Sequence, residues 1–273
     1  MIKDTGFEGW YFKHQLQNDM IAFIPGRAES GAFVQLISSS GSRHFKVPEL
    51  SVNRNTIRAG NCLFSPRGCK INLPGVIGEI RYSELTPLRS DIMGPFQFLP
   101  MECRHGIISM GHLLSGSLTV DGIVHNFDGG KGYIEKDSGT SFPKSYQWLQ
   151  CNDFTEPCSL VVSIAHIPFL GVSFTGCICA IVHRGREYRL ATYQGVRILS
   201  ADETHICLSQ RSLLLEINVK PSSNGHPLRA PANGQMSDII HESLNAEIQV
   251  RFWEHGKLVF SLQSSHATYE YVN

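Results

Sequence analysis

Apolar residues along this chain alternate with polar ones far more often than they recur at helical spacing. Strand-like runs are short and frequent: Gly9–His14, Ala32–Ile37, Glu79–Tyr82, Gly116–Val120, Tyr146–Cys151, Leu160–Ile164, Cys177–His183, Glu187–Thr192, His205–Gln210, Leu213–Val219, Glu247–Glu254, Leu258–Leu262 and Ala267–Tyr271. Gly, Asn, Asp or Pro separates most of them, which predicts an all-β sandwich or barrel. Val120-Asp-Gly-Ile123 and Glu254-His-Gly-Lys257 read as tight hairpins, because the glycine supplies the positive φ that a type I′ turn needs. Ser237–Leu244 is the clearest helix candidate, and Pro221–Gly225 reads as a surface loop. So many strands exceed one sheet. Two consecutive β units are expected, 1–128 and 129–273, with the seam at Asp128-Gly-Gly-Lys131.

Leu160 to Val182 is apolar and long enough to span a bilayer. His166, Pro168, Gly171 and Gly176 interrupt it, so two buried strands around an Ile-Pro-Phe-Leu-Gly turn are predicted instead. No transmembrane span is expected.

The chain has 273 residues, with 24 basic and 24 acidic side chains. That balance argues against nucleic acid or an anionic membrane surface as the main partner. Eight cysteines without a CxxC pair, and a start without an apolar signal region, suit a reducing cytoplasm with free thiols. Cys177 and Cys179 would share a strand face. The histidines show no HxH or HExxH spacing, so no dedicated zinc site is expected. Walker, dinucleotide and GxSxG signatures are absent, which removes the common nucleotide-dependent and hydrolase chemistries.

Four segments carry candidate chemistry. In Gly6–Phe12, Glu8 shares a strand face with Trp10 and Phe12. A carboxyl desolvated among rings can donate a proton near neutral pH. The competing reading pairs Glu8 with an Arg or Lys. In Gly132–Phe154, Glu135 and Asp137 share one face with Lys136 opposite, and two close carboxyls can split their affinities for a proton. After Phe142-Pro143, Tyr146, Trp148, Gln150 and Asn152 line one face, a poor core but a good pocket wall: rings stack on a ligand and amides orient its polar head. The alternative is a buried polar network bonded to backbone. The third segment, Gly225–Pro231, reads as a fixed loop in which Arg229 could pair with a buried carboxylate. Pro95–Gly106 reads as cavity wall or core, with Glu102 and His105 able to titrate.

Phe7-Glu-Gly-Trp-Tyr-Phe12, Tyr133-x-Glu-Lys-Asp-x-Gly-x-x-Phe-Pro-x-x-Tyr-x-Trp-Leu-Gln-Cys-Asn-x-Phe154 and Pro227-Leu-Arg-Ala-Pro231 resemble, in order, motifs of the tocopherol cyclase-like family. The resemblance implies a pair of lipocalin-like units related to carotenoid hydratase-type proteins. It implies acid-initiated ring closure or hydration of a prenylated or polyene lipid, an intramolecular lyase or isomerase chemistry that uses no redox cofactor. Glu135, Glu8 and Asp137 would then be the acid candidates. Trp10, Tyr146, Trp148 and Phe142 would shape an apolar pocket, and Gln150, Asn152 and Lys136 would hold its polar end. The partner would be a hydrophobic small molecule, collected in transient contact with a membrane. Ser138 stands where the family commonly has Trp, which removes one ring and leaves room for a bulkier substrate. A non-catalytic carrier and a pericyclase that only folds a polyene use the same pocket.

Overall fold

A computed structural model describes residues 6–169, 171–221 and 225–273. The start of the chain, Leu170 and most of the Pro221–Gly225 loop lie outside them. The described residues form twenty-two strands and two short 3₁₀ turns.

The first twelve strands make one antiparallel sheet. They are β1 (Phe7–Leu16), β2 (Asp19–Ala28), β3 (Gly31–Ser38), β4 (Gly41–Val47), β5 (Leu50–Asn53), β6 (Thr56–Ala59), β7 (Cys62–Ser65), β8 (Gly68–Leu73), β9 (Val76–Tyr82), β10 (Cys103–Val120), β11 (Ile123–Asn126) and β12 (Lys131–Gly139). Their order is β4-β3-β2-β1-β12-β10-β9-β8-β7-β6-β5, with β11 on β10. A sheet this wide twists and coils. Trp10, Phe12, Phe23 and Leu36 from one half therefore pack with Ile57, Phe64, Ile71 and Leu118 from the other in a single core.

The last ten strands make the second antiparallel sheet: β13 (Tyr146–Cys151), β14 (Cys158–Phe169), β15 (Val172–His183), β16 (Arg186–Ala191), β17 (Arg197–Asp202), β18 (His205–Gln210), β19 (Leu213–Lys220), β20 (His226–Ala232), β21 (Gln235–Glu254) and β22 (Lys257–Val272). Its core joins Leu149, Leu160, Ile181, Leu208, Leu215, Phe252 and Phe260. Both sheets are the consequence of alternation, with one face of each strand apolar and buried.

By contacts the chain divides into two compact units. One holds the chain up to Leu88 with Glu102–Phe142 and Leu228–Ile239; the other holds Arg89–Met101, Pro143–Pro227 and everything from Ile240 on. The expected division at 128/129 falls in the turn before β12, inside the first unit. The cause is pairing: β12 lies between β1 and β10. Leu228–Ile239 belongs to the first unit because Gln35 clamps the Arg229 backbone with two hydrogen bonds of 2.9 Å, and Gly234 N–H donates to the Thr140 carbonyl at 2.7 Å.

Two local expectations are corrected. Ser237–Leu244 is not helical but part of β21. Met236, Ile240, Glu242 and Leu244 are buried at even spacing, and pairing with β22 overrides the weak helical pattern. His226–Ala232 is a strand rather than a loop, and Arg229 is exposed, so its backbone and not its guanidinium is held. Other expectations hold. Asp121 and Gly122 both take positive φ, as do His255 and Gly256, which is what type I′ hairpins require of their two central residues. The apolar run Leu160–Val182 folds into β14 and β15, with no described helix long and apolar enough to cross a membrane.

Candidate active site

Register on the first sheet decides which candidates meet. Glu8, Trp10 and Phe12 pair with Ser138, Lys136 and Ile134; Gly9, Tyr11 and Lys13 pair with Asp137, Glu135 and Tyr133. Cross-strand partners share a face. Glu8, Trp10 and Lys136 therefore lie on the core side, whereas Glu135 and Asp137 point to the opposite face. On the core side, Lys136 Nζ is 2.5 Å from Glu8 Oε1 and 4.8 Å from the Trp10 ring centre, and Arg27 Nη2 donates to Glu8 Oε2 at 2.8 Å. Glu8 is thus held between two cations, which is the ion-pair alternative drawn from sequence. Phe142 packs edge-on to Phe7, ring centres 5.5 Å apart.

On the other face a polar array is assembled from two strands, β12 and β10. Tyr133, fully buried, donates its hydroxyl to Glu135 Oε2 at 2.5 Å. Glu135 is itself buried. His105 on β10 is paired in register with Asp137. Its Nδ1–H donates to Asp137 Oδ1 at 2.8 Å, and its Nε2 lies 3.6 Å from Glu135 Oε2. The imidazole thus stands between two carboxyl groups. Burial first, then the neighbouring Glu135 charge, pushes the Tyr133 hydroxyl well above its usual range, so it remains a donor. Burial, then Asp137 and Glu135, push the Cys103 thiol up as well, which keeps it protonated and unreactive.

One donor atom from each of His105, Glu135 and Asp137 lies within 4.8 Å of the others, a set that could hold a metal ion. The same three groups also place one imidazole between two carboxyls, hydrogen-bonded to Asp137 and 3.6 Å from Glu135. A strand-alternation reading of β12 finds Glu135 and Asp137 but not His105, because the β10–β12 register is a long-range property. Tyr133 is visible in the sequence as the residue two before Glu135 on the same face.

The ring-and-amide face lies in the second unit. Tyr146, Trp148, Gln150 and Asn152 are all buried, while the alternate residues Leu149 and Cys151 enter the second core. Tyr146 donates its hydroxyl to Glu270 Oε2 at 2.6 Å. Neither Glu270 nor Glu242 carries a local sequence signal, because their significance depends on β13, β21 and β22 being neighbours. An open cleft of about 720 Å³ elsewhere in the second unit, lined by Asp153, Phe154, Glu247 and His266 among others, contains none of the expected site residues.

Over 98% of this chain and 89% of theirs, the structure resembles CghA solved with Sch210972, with a TM-score of 0.65 and 12% identity. It also resembles kievitone hydratase from Nectria haematococca, with a TM-score of 0.54 and 12% identity over 98% of this chain and 88% of that one. These likenesses show a shared lipocalin-like fold. In sequence, the chain is 25% identical over 205 residues to "Probable tocopherol cyclase, chloroplastic" of Oryza sativa subsp. japonica. That match covers 69% of this chain and 44% of the rice protein, so the chain spans less than half the length of this relative. The tocopherol cyclase-like family model matches residues 82–271, well over half of the chain, and includes both the Glu135 array and the Tyr146 face. The chain belongs to the tocopherol cyclase-like family.

Proposed function

We propose that the protein is an acid catalyst of the cyclase or hydratase kind, acting on a prenylated or polyene lipid, with Glu135 as the proton donor. The observation that carries this reading is the array Asp137–His105–Glu135–Tyr133, in which Glu135 and Tyr133 are buried and His105 and Asp137 partly so. Proton transfer to a carbon–carbon double bond needs a carboxylic acid held out of water. It also needs a route that restores the proton. His105 is hydrogen-bonded to Asp137 and its Nε2 lies 3.6 Å from Glu135, so a proton carried on the ring and stabilised by the Asp137 charge can be returned to Glu135 once the ring closes that gap.

The steps balance without a redox partner. The Glu135 carboxyl gives its proton to one alkene carbon, and the π electrons form the new C–H bond. The tertiary cation that remains is attacked by a hydroxyl of the same substrate, or by water. The proton released from that oxygen returns to the Glu135 carboxylate. Tyr133 stabilises the carboxylate while it is charged, because its hydrogen bond to a charged acceptor is stronger than to a neutral one. Tyr146, Trp148, Gln150 and Asn152 are the binding face of the second unit in this reading, rings for the apolar part and amides for the polar end. Glu8, Trp10 and Lys136 have a structural role on the core side of the first sheet. The eight cysteines are all free, which fits work in a reducing compartment such as the cytoplasm.

Glu135→Gln is the test. Turnover of a prenylated hydroquinone should fall while binding of that compound is retained. Unchanged turnover removes Glu135 as the acid. Binding without turnover in the native protein itself would favour a carrier.

A further inference from the structure

The β14–β15 hairpin runs past the sheet that carries it. β13 stops pairing with β14 at Ala165, and β16 begins pairing with β15 at Ile178. One further hydrogen bond, from His166 N–H to the Ser145 carbonyl at 3.0 Å, closes the base. Beyond it Ile167, Pro168 and Phe169 pair with Phe174, Ser173 and Val172, and no third strand lies beside them among the described residues. The two strands project as a ribbon. Direct partners share a face, so Ile167, Phe169, Val172 and Phe174 form an apolar side, and Pro168 and Ser173 fall on the other.

Burial in the second core accounts for the apolar residues nearer the sheet, such as Leu160, Ile164, Cys177 and Ile181. It does not account for the ribbon. Val172 is 68% exposed, and Phe169 and Phe174 are partly exposed. From Pro157 to His183 the sequence has no Asp, Glu, Lys or Arg. Phe96, in the 3₁₀ turn Gly94–Phe98 of the same unit, lies with its ring centre 6.1 Å from that of Phe174. Two residues on, Phe98 is 81% exposed.

A positive charge is set back from the tip. Lys144 precedes the Ser145 that closes the base of the ribbon, and it is exposed. At roughly 3.3 Å per residue, Phe169 lies about 10 Å beyond His166. A lysine that far behind an uncharged tip matches a phospholipid interface, where apolar side chains enter by roughly 5–10 Å and cations stay with the phosphates. The open edges of the ribbon limit the depth, because unpaired backbone groups are excluded from hydrocarbon. The ribbon can therefore dip into a bilayer but not cross it.

We propose that the tip of the β14–β15 ribbon, Phe169 and Val172, together with Phe98, docks the protein on a phospholipid bilayer, with Lys144 at the level of the phosphates. Burial of apolar side chains and not charge supplies the attraction, so neutral lipid suffices. The inference rests on the lipid substrate proposed above for its purpose, and it names the surface through which that substrate is drawn.

The test floats the full chain with phosphatidylcholine vesicles through a density gradient. The protein should rise with the vesicles at low and at high salt. Phe169→Ser combined with Val172→Ser should weaken binding at least ten-fold. Thermal unfolding should be nearly unchanged, since neither residue belongs to the core. In the Val172→Trp variant, brominated phosphatidylcholine should quench the added fluorescence, a readout that does not depend on the serine substitutions. A prenylated hydroquinone in detergent micelles should be turned over by the double-serine variant at the native rate, and the same compound in vesicles at least ten-fold more slowly. Glu135→Gln should float as the native protein does, so loss of the acid leaves the docking result standing. No flotation, flotation abolished by salt, unaltered flotation in the double-serine variant, no quenching, or a dimer that the double-serine variant abolishes would each overturn the proposal.

Discussion

Tyr133 donates its hydroxyl to Glu135 across 2.5 Å, two positions along the same strand, at a place where both side chains are out of water. The phenol can stabilise the carboxylate without becoming its proton source, because its own proton is held well above the usual range by burial. Tyr133→Phe should therefore retain measurable turnover and lower kcat by about ten- to a hundred-fold, since hydrogen bonds to charged groups contribute roughly 1.5–3 kcal/mol. A kcat equal to the native value would show that this contact does not act on the reaction.

Glu135→Gln keeps the shape and removes the proposed acid. A positioned general acid contributes on the order of 10²–10⁴ in rate. Steady-state kinetics should show a loss in that range in kcat, with KM for a prenylated hydroquinone moving far less.

In the proposed route Asp137 would act through His105. Asp137→Asn keeps the hydrogen bond but removes the charge that would stabilise a proton on His105. The expected result is a smaller loss than for Glu135→Gln, together with a changed pH–rate profile. A profile superimposable on that of the native protein, with any loss confined to thermal stability, would reduce Asp137 to a structural residue.

Acid should destabilise the first unit by a route separate from catalysis. His14 is fully buried against Tyr82, and burial lowers its pKa from 6.5 to about 4; burial lowers that of His112 to about 3. Between the ordinary and the lowered values the unfolded chain binds protons that the folded chain refuses. Stability is therefore fully present above pH 6.5 and is lost as the pH falls toward 4 and then 3. For His14 alone a shift of this size corresponds to roughly 3 kcal/mol. The midpoint of urea unfolding should fall steadily from pH 7 to pH 4.5. A flat midpoint over that interval would contradict the assignment.

Glu8 tests the opposite expectation. Its partners Arg27 and Lys136 are half-exposed and partly exposed, and pairs of that kind contribute about 0–1 kcal/mol. Glu8→Gln should shift thermal unfolding only slightly and leave turnover intact. A collapse of turnover with a normal melting curve would return Glu8 to the catalytic group.

Alternation made the strands legible wherever apolar and polar residues take turns, as in Tyr146–Cys151 and His205–Gln210, which match β13 and β18 end to end. It failed for β5 to β8, where strands of four to six residues are too short to show a period, and for β2, which carries Pro25 and Gly26. The two faces of β12 were also readable, so Glu135 and Asp137 could be placed together and Lys136 apart. The same rule could not show that Glu8 and Trp10 share a face with Lys136 rather than with Glu135. That follows from the β1–β12 register, as the meeting of His105 with Asp137 follows from β10–β12. The Glu242–Glu270 pairing joins residues on adjacent long strands whose register contains bulges, and no local pattern encodes it.

Turnover in deuterium oxide asks most directly whether the Glu135 array starts the reaction. A prenylated hydroquinone converted by the native protein should gain one deuterium at the new C–H bond, read by mass spectrometry and carbon NMR, and Glu135→Gln should produce almost none of that product. Product formed at the native rate with no deuterium in its carbon skeleton would contradict proton-initiated chemistry at Glu135.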